Sequence, residues 1–185
     1  MPKIVDHAAR RKQIMCGAHD LFIDRGYHNV SMRLLASTLS VSTGTLYHYF
    51  PSKEALFEAL VSSRAESDLR LATQGLSADA SPDDRLAQLS QFVLQHHAQL
   101  RDTLALVLDH ERVQPDASNV AKATLAIYRI PLVLALGPHA GELGLALILG
   151  MLVKQMLDGI TPDVRVYMQA LNGLRQTTHG HDPAK

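Results

Sequence analysis

Helix caps and chain breakers, not strand signals, punctuate this sequence, and apolar residues recur between them at three- and four-residue spacing. No segment alternates convincingly between apolar and polar residues, so the expected fold class is all-α. Residues 7–25 read as a first helix, with Ile14, Ala18, Leu21 and Phe22 on one face and Gly26 placed as a C-terminal cap. Ser31 can cap a second, short helix holding Met32, Leu35, Ala36 and Leu39. After a break at Ser40-Val41, Ser42 can cap a third short helix over 43–49, which Pro51 stops. Ser52 then caps a long fourth helix. Glu54 in its first turn suits the helix dipole, and Leu56, Phe57, Leu60 and Val61 form its apolar face.

Residues 75–80 read as a linker. Ser81-Pro82-Asp83-Asp84 is a strong helix start, with a cap, a proline at the first helical position and acids behind it. Leu86, Leu89, Phe92, Val93 and His96 lie on one face of the helix that follows, and a separate helix is expected over 100–113. Another is expected over 117–136, kinked or split at Pro131. Gly137-Pro138 breaks the chain, 140–157 is the most apolar helix, and Thr161-Pro162-Asp163 opens the last one. The tail from Thr177 is polar and expected to fray. The expected divisions are 1–54, 55–80 as connecting helix and linker, 81–178, and a flexible tail at 179–185.

Composition narrows the function classes. With 185 residues, 46% of them hydrophobic and 19% charged, the chain can bury a core and does not read as disordered. The zero net charge hides an asymmetry: residues 1–54 carry seven Lys or Arg against four acids, and the remainder carries eleven against fourteen. Such a split suits a nucleic-acid-facing end and a separate body. The single Cys16 excludes an intrachain disulfide framework, suits a reducing cytoplasm and is expected at or near the core. Lys3, Asp6, Arg10, Arg11 and Lys12 interrupt the N-terminus, so it lacks the apolar stretch of a signal peptide. The apolar run 143–153, ended by Lys154, is too short to span a bilayer and reads as a buried helix. No membrane partner is expected, and a cytoplasmic location is. His96 and His97 are adjacent and point about 100° apart on a helix, so they do not readily share an ion. Neither a nucleophile elbow, a phosphate loop nor a His-Glu-x-x-His pattern occurs; no enzyme activity, metal or cofactor is expected.

The chemistry concentrates in residues 31–53. Two short helices joined by a tight turn, directly after a longer helix, are the plan of a helix-turn-helix. In the third helix only Leu46 and Phe50 form an inward apolar pair. Thr43 and Thr45 can hydrogen-bond base edges or phosphates and touch thymine methyls. Gly44 removes bulk and lets the backbone approach DNA. Tyr47, His48 and Tyr49 carry polar tips suited to phosphates. Ser42 joins this set as cap and candidate contact. Lys53 stands beside a helix N-terminus, already favourable to anions, and Arg33 can reach a base or phosphate at the groove edge. The plainer alternatives have Tyr47 and Tyr49 packed on the first helix and Arg33 as a solvated charge.

The run Val41-Ser42-Thr43-Gly44-Thr45-Leu46-Tyr47-His48-Tyr49-Phe50-Pro51-Ser52-Lys53-Glu54-Ala55-Leu56 resembles the recognition-helix signature of the TetR family. Gly26-Tyr27, Val30-Ser31-Met32-Arg33 and Leu35-Ala36 resemble the pattern that precedes it. The likeness covers about residues 10–62, roughly a third of the chain. It implies an N-terminal three-helix helix-turn-helix domain, a connecting helix, and a C-terminal helical ligand-binding and dimerisation domain. By position, the resemblance assigns DNA contacts to Arg33, Thr43, Gly44, Thr45, Tyr47, His48 and Lys53, and in some members to the site of Tyr49. It also implies a homodimer formed through the last two helices.

The residues of the second half agree with a dimer. The helix over 140–157 is apolar on more than one side and needs two partners, its own core and a second subunit. Leu143, Leu147, Gly150 and Met151 on that helix, with Val164, Met168 and Leu171 on the last, are the expected interface. Small Gly144, Ala146 and Gly150 would let helices approach closely. A dimer places two recognition helices about one DNA turn apart on a palindrome. The expected partners are therefore a double-stranded operator, a second copy, and a small apolar or amphipathic effector. An effector pocket is expected among residues 83–157, with Phe92, His96, Leu108, Glu111 and Tyr128 as candidate lining. The function expected is a transcriptional repressor released by that effector. An activator, or a regulator without a ligand, would share the architecture.

Overall fold

The computed structural model of the chain describes residues 6–113 and 119–179. Among these lie α1 (His7–Arg25), α2 (Met32–Thr38), α3 (Thr43–Tyr49), α4 (Lys53–Thr73), α5 (Pro82–Val113), α6 (Val120–Leu136), α7 (Pro138–Asp158) and α8 (Val164–His179), and no strand. The chain divides into two compact units. The first comprises residues up to Arg64 together with Ala105–Ala121, and the second comprises Ala65–Leu104 with the chain from Lys122 on. The divisions expected from sequence were consecutive, whereas here a segment from the middle of the chain completes the N-terminal unit.

Local chemistry sets the boundaries in the first unit. The Asp6 carboxylate accepts the N–H groups of Ala8 and Ala9 and caps α1. Gly26, at φ 74, ends α1, and its N–H donates to the Phe22 carbonyl. The Ser31 hydroxyl caps α2 by accepting the Leu34 N–H at 3.1 Å, and the Ser52 hydroxyl accepts the Ala55 N–H at 3.1 Å where α4 begins. Between α2 and α3, the Val41 N–H reaches back to the Ala36 carbonyl at 2.9 Å, and Ser40 adopts φ 52. That tight turn lets α2 and α3 share one core.

Apolar burial and ring packing hold this unit. Ile14, Phe22, Tyr27, Leu35, Leu46, Phe50, Leu56 and Phe57 are buried together with Leu106, Val107 and Val120 from later in the chain. Phe57 stacks on His110 at 4.7 Å between centroids, and Tyr27 meets both rings edge-on at 4.8 and 4.6 Å. Each such pair adds about 0.5–1.5 kcal/mol beyond its buried area.

In the second unit, Ser81 and Asp84 cap the start of α5 reciprocally: the Asp84 N–H donates to the Ser81 hydroxyl, and the Ser81 N–H donates to the Asp84 carboxylate. Two helices were expected over 83–113, but α5 is a single helix of 32 residues. Nothing in Gln95-His96-His97-Ala98-Gln99 breaks a helix, and the buried stripe Phe92, Val93, Leu100, Thr103 and Val107 keeps helical spacing throughout. Helix α6 likewise runs through Pro131 without splitting. The missing N–H and the ring clash cost about 3 kcal/mol, which burial of Pro131, Leu132, Ala135 and Leu136 offsets. The start expected for this helix at 117 lies outside the described residues; the tail expected from Thr177 is helical as far as His179, because α8 continues to there, and lies outside the described residues from 180.

Helix α7 starts two residues earlier than expected, with Pro138 in its first turn, and ends on Gly159 in the left-handed conformation. Its full 21 residues are long and apolar enough to cross a membrane by length and composition alone, where the shorter run 143–153 was not. One stripe of it, Ala140, Gly141, Gly144, Ile148, Met151, Leu152 and Gln155, is buried in the second unit. A Cβ on Gly141 would stand 2.9 Å from the Val133 backbone, and one on Gly144 about 3 Å from Leu136 and Leu171. These two glycines let α7 press against its own chain.

Candidate nucleic-acid interface

Helix α3 presents two opposed faces. Leu46 and the following Phe50 are buried against the core of the first unit and fix the helix. The opposite arc carries Thr43, Gly44, Tyr47 and His48, all exposed, with Tyr47 at 52% despite its size. Thr43 with Tyr47 and Gly44 with His48 are four-residue pairs, so they form two adjacent rows on one side. Arg33, at the second position of α2, is exposed as well.

Gly44 has no structural duty that calls for glycine. Its φ is ordinary, and a Cβ added there would meet only the Ser42 hydroxyl at 3.8 Å. A side chain at this position would project from the exposed arc.

The other sequence candidates have internal roles. The Ser42 hydroxyl accepts the Thr45 N–H at 2.9 Å and lies 2.8 Å from the Thr45 hydroxyl, so this pair caps α3, with Ser42 exposed and Thr45 half-buried. Tyr49 is half-buried, and its hydroxyl lies 3.2 Å from Nδ1 of His7 on α1. Lys53 extends over the Tyr27 ring, 4.1 Å from its centroid, and donates from Nζ to the Tyr27 carbonyl at 3.0 Å. Burial pushes the Lys53 ammonium below its usual range, against the opposing pull of Glu54 and Asp109.

Sequence reasoning missed the support beneath this surface. The Tyr27 hydroxyl donates to Glu54 at 3.0 Å, and its N–H donates to Asp109 at 2.7 Å. Burial, the Glu54 charge and that hydrogen bond raise the phenol well above its usual range. Burial favours the neutral form of Glu54, yet its backbone N–H, Ser52, Tyr27 and Lys53 outweigh it and hold the carboxyl low. The pairing of Glu54 with Tyr27 was foreshadowed only by the Gly26-Tyr27 and Lys53-Glu54 motif residues. No local signal announces Asp109, which stands 82 residues from Tyr27 in sequence.

The expected pocket residues are divided between the units. Phe92 and His96 lie together in the second, with ring centroids 4.9 Å apart, and there Tyr128 donates to the buried Asp68 at 2.7 Å. Leu108, exposed, and Glu111, 3.7 Å from the His110 imidazole, lie in the first. A groove of about 640 Å³ in the second unit is lined by Leu86, Ser90, Leu94, Arg165 and Met168 among others, and by none of the five.

The expected interface residues separate sharply. Leu143 (45% exposed) and Gly150, with open space where a Cβ would be, face outward, and Leu147 is partly buried. Met151 (1%), Val164 (3%), Met168 (8%) and Leu171 (0%) are taken up by their own core. Side chains buried this far within one chain offer little surface to a second copy, although Met168 also borders the groove. Val153, Met156, Leu157 and Ile160 are exposed on or just beyond α7 instead.

Comparison with known proteins adds independent findings. The family model of bacterial regulatory proteins, tetR family, matches residues 14–60. The chain is 38% identical over 91 residues to the HTH-type transcriptional repressor Rv1474c of Mycobacterium tuberculosis, a match covering 45% of this chain and 49% of that protein. The chain spans half or less of the length of the curated relatives it matches. Its fold is similar to that of the transcriptional regulator SCO7518 from Streptomyces coelicolor A3(2), with a TM-score of 0.72 at 20% identity over 90% of this chain and 98% of that one. It is also similar to a transcriptional regulator from Saccharomonospora viridis in complex with choline, with a TM-score of 0.69 at 20% identity over 91% and 96%.

Proposed function

Residues 14–60 match the family model of bacterial regulatory proteins, tetR family, and on that premise we propose that the chain is a TetR-type transcriptional repressor released from a palindromic operator by a small-molecule effector. The exposed arc of α3 carries the reading. Thr43, Gly44, Tyr47 and His48 line a surface that contributes nothing to the core, while Leu46 and Phe50 on the other side hold it rigid. A short, rigid helix with hydroxyls and a bare backbone on one side suits the major groove. Thr43 and the Gly44 backbone read base edges; Tyr47, His48 and Arg33 hold phosphates. Ser42, Thr45, Tyr49 and Lys53 set the pose of the helix and meet the DNA at its margins.

One such unit makes few base contacts, so useful specificity calls for two. The outward apolar stripe of α7, with Leu143, Gly150 and Leu157, is the surface for the second copy. The effector enters the second unit and acts through its different affinities for the DNA-bound and released states. A choline complex of a protein with a similar fold, and the repressor Rv1474c among the relatives, are consistent with ligand-controlled repression in a regulator of this architecture.

Selection of genomic fragments with the purified protein tests the reading, followed by measurement of affinity against salt. A recovered palindrome bound with a steep salt dependence is expected. Random recovery with shallow dependence would overturn it. Thermal melting against a panel of small molecules tests the effector, since saturation at one hundred times Kd stabilises by about 2.7 kcal/mol.

A further inference from the structure

His7 belongs to none of the motif residues, yet it stands beside the recognition helix. Its Nδ1 lies 3.2 Å from the Tyr49 hydroxyl. Its ring lies 5.8 Å from that of Tyr49 and 6.0 Å from that of His48, and the latter two are 5.2 Å apart. His7 and His48 are exposed and Tyr49 is half-buried, so the cluster meets solvent on the flank of α3.

A tyrosine hydroxyl has a single proton to give, and the partner decides where it goes. A neutral imidazole allows two arrangements. With Nδ1 bare, the Tyr49 O–H donates to it, and only an oxygen lone pair remains for an approaching phosphate. With Nδ1 protonated, the ring donates to the Tyr49 oxygen, and the O–H is released. An imidazolium permits only the second arrangement and adds a positive charge.

We propose that His7 is a proton-gated part of the DNA-backbone contact: its protonation turns the Tyr49 O–H outward to a phosphate, so DNA is held more tightly as pH falls. The inference rests on the DNA-binding reading of α3. Among the described residues, the groups around His7 are His48 and Tyr49 from α3, and Asp6, Arg10 and Arg11 from its own helix. The Asp6 carboxylate caps α1, Arg10 is paired with Gln13, and Arg11 lies over the Phe50 ring. A DNA phosphate brought against the imidazole adds an anion beside it, so binding and protonation favour each other. Histidine is the side chain whose charge changes between about pH 5 and 8, the range that the test spans.

The test uses the full chain and fluorescence anisotropy, with a mixed-sequence duplex at low salt and then with the fragment recovered by selection. From about pH 8 to about pH 5.5, affinity is expected to rise about three- to tenfold. His7→Gln keeps a polar partner without a titrating group and should remove most of that rise, while His48→Gln should leave the His7-dependent part. Tyr49→Phe should weaken binding at the lower pH and have little effect at the higher one. The His7 and Tyr49 substitutions should therefore be non-additive only in acid, a signature that mere packing does not produce. Circular dichroism at both pH values confirms that each variant is folded. Binding whose pH response survives His7→Gln intact would overturn the inference alone. No binding to either probe at any pH would overturn the DNA-binding reading, and this inference with it.

Discussion

The Asp109 carboxylate accepts the backbone N–H of Tyr27 at 2.7 Å and, from the end of α5, closes the turn that follows α1. The same carboxylate pairs with Arg112 at 3.0 Å. Burial alone would raise its pKa, but the Arg112 hydrogen bond and charge and the Tyr27 and His28 N–H groups outweigh that and hold it below the usual range. The lowered value means that the bond stabilises the fold above the unfolded pKa, about 3.9, and that this contribution fades as pH falls through the native value. Asp109→Ala should cost about 1–3 kcal/mol in urea unfolding at neutral pH. Asp109→Asn, which still accepts a hydrogen bond, should cost less and flatten the acid limb of stability. An unchanged acid limb in Asp109→Asn would remove Asp109 from this role.

At the other end of the pH scale stands the Tyr27 phenol, buried and donating to Glu54. Its raised pKa comes from burial first, then from the Glu54 charge and hydrogen bond. Folding therefore favours the neutral phenol, and this stabilisation is lost as pH rises from about 10 toward the higher native value. Tyr27→Phe should lose about 1 kcal/mol at neutral pH, because Glu54 loses one donor. It should also lose part of the alkaline destabilisation. Equilibrium unfolding of the two proteins from neutral to strongly alkaline pH checks both effects. Parallel curves would show that the Tyr27 hydroxyl does not carry the alkaline dependence.

Gly44 separates stability from function. Since its backbone is ordinary and a Cβ meets only the Ser42 hydroxyl at 3.8 Å, Gly44→Ala should stabilise α3 by about 0.5–1 kcal/mol. The same methyl lies on the exposed arc between Thr43 and Tyr47, the surface that the proposed function turns toward DNA. Affinity for the selected operator should therefore fall while the melting temperature rises. A variant that is more stable and binds as well as the parent would show that Gly44 is not at the interface.

Much of the first unit was legible because its signals are local. Gly26, Ser31, Ser42 and Pro51 act on the residues beside them, and the boundaries of α1, α2 and α3 follow. The inward pair Leu46 and Phe50 was legible for the same reason. Asp109 and His110 were not, since their partners are far away in sequence and an Asp-His pair on a helix announces nothing. Lys53 was read only as a phosphate-facing cation, yet a long flexible side chain can turn inward, and here it lies over Tyr27. In the second unit hydrophobicity showed that α7 has two apolar sides without showing which one is core. That depends on where α6 and α8 pack, and Gly141 and Gly144 mark the inward side only once Val133 and Leu136 are in place.

That distinction yields the last prediction. On α7, Leu143, Gly150 and Leu157 lie on one outward stripe at seven-residue spacing, and Leu157 is 83% exposed. Burying a fully exposed leucine against a partner gains about 1.5–3 kcal/mol, so the stripe is costly to leave in water and favourable to pair. Leu143→Glu with Leu157→Glu should leave the helical circular dichroism signal unchanged, because neither side chain belongs to the core. Light scattering should then report a monomer, and operator affinity should fall steeply, since one recognition helix would act alone. Met151→Ala is the control. It empties a site that is 1% exposed, so it should cost about 2–5 kcal/mol of stability, with loss of fold preceding any change in assembly. If the double glutamate variant keeps the mass of the parent, the outward stripe of α7 is not where two copies meet.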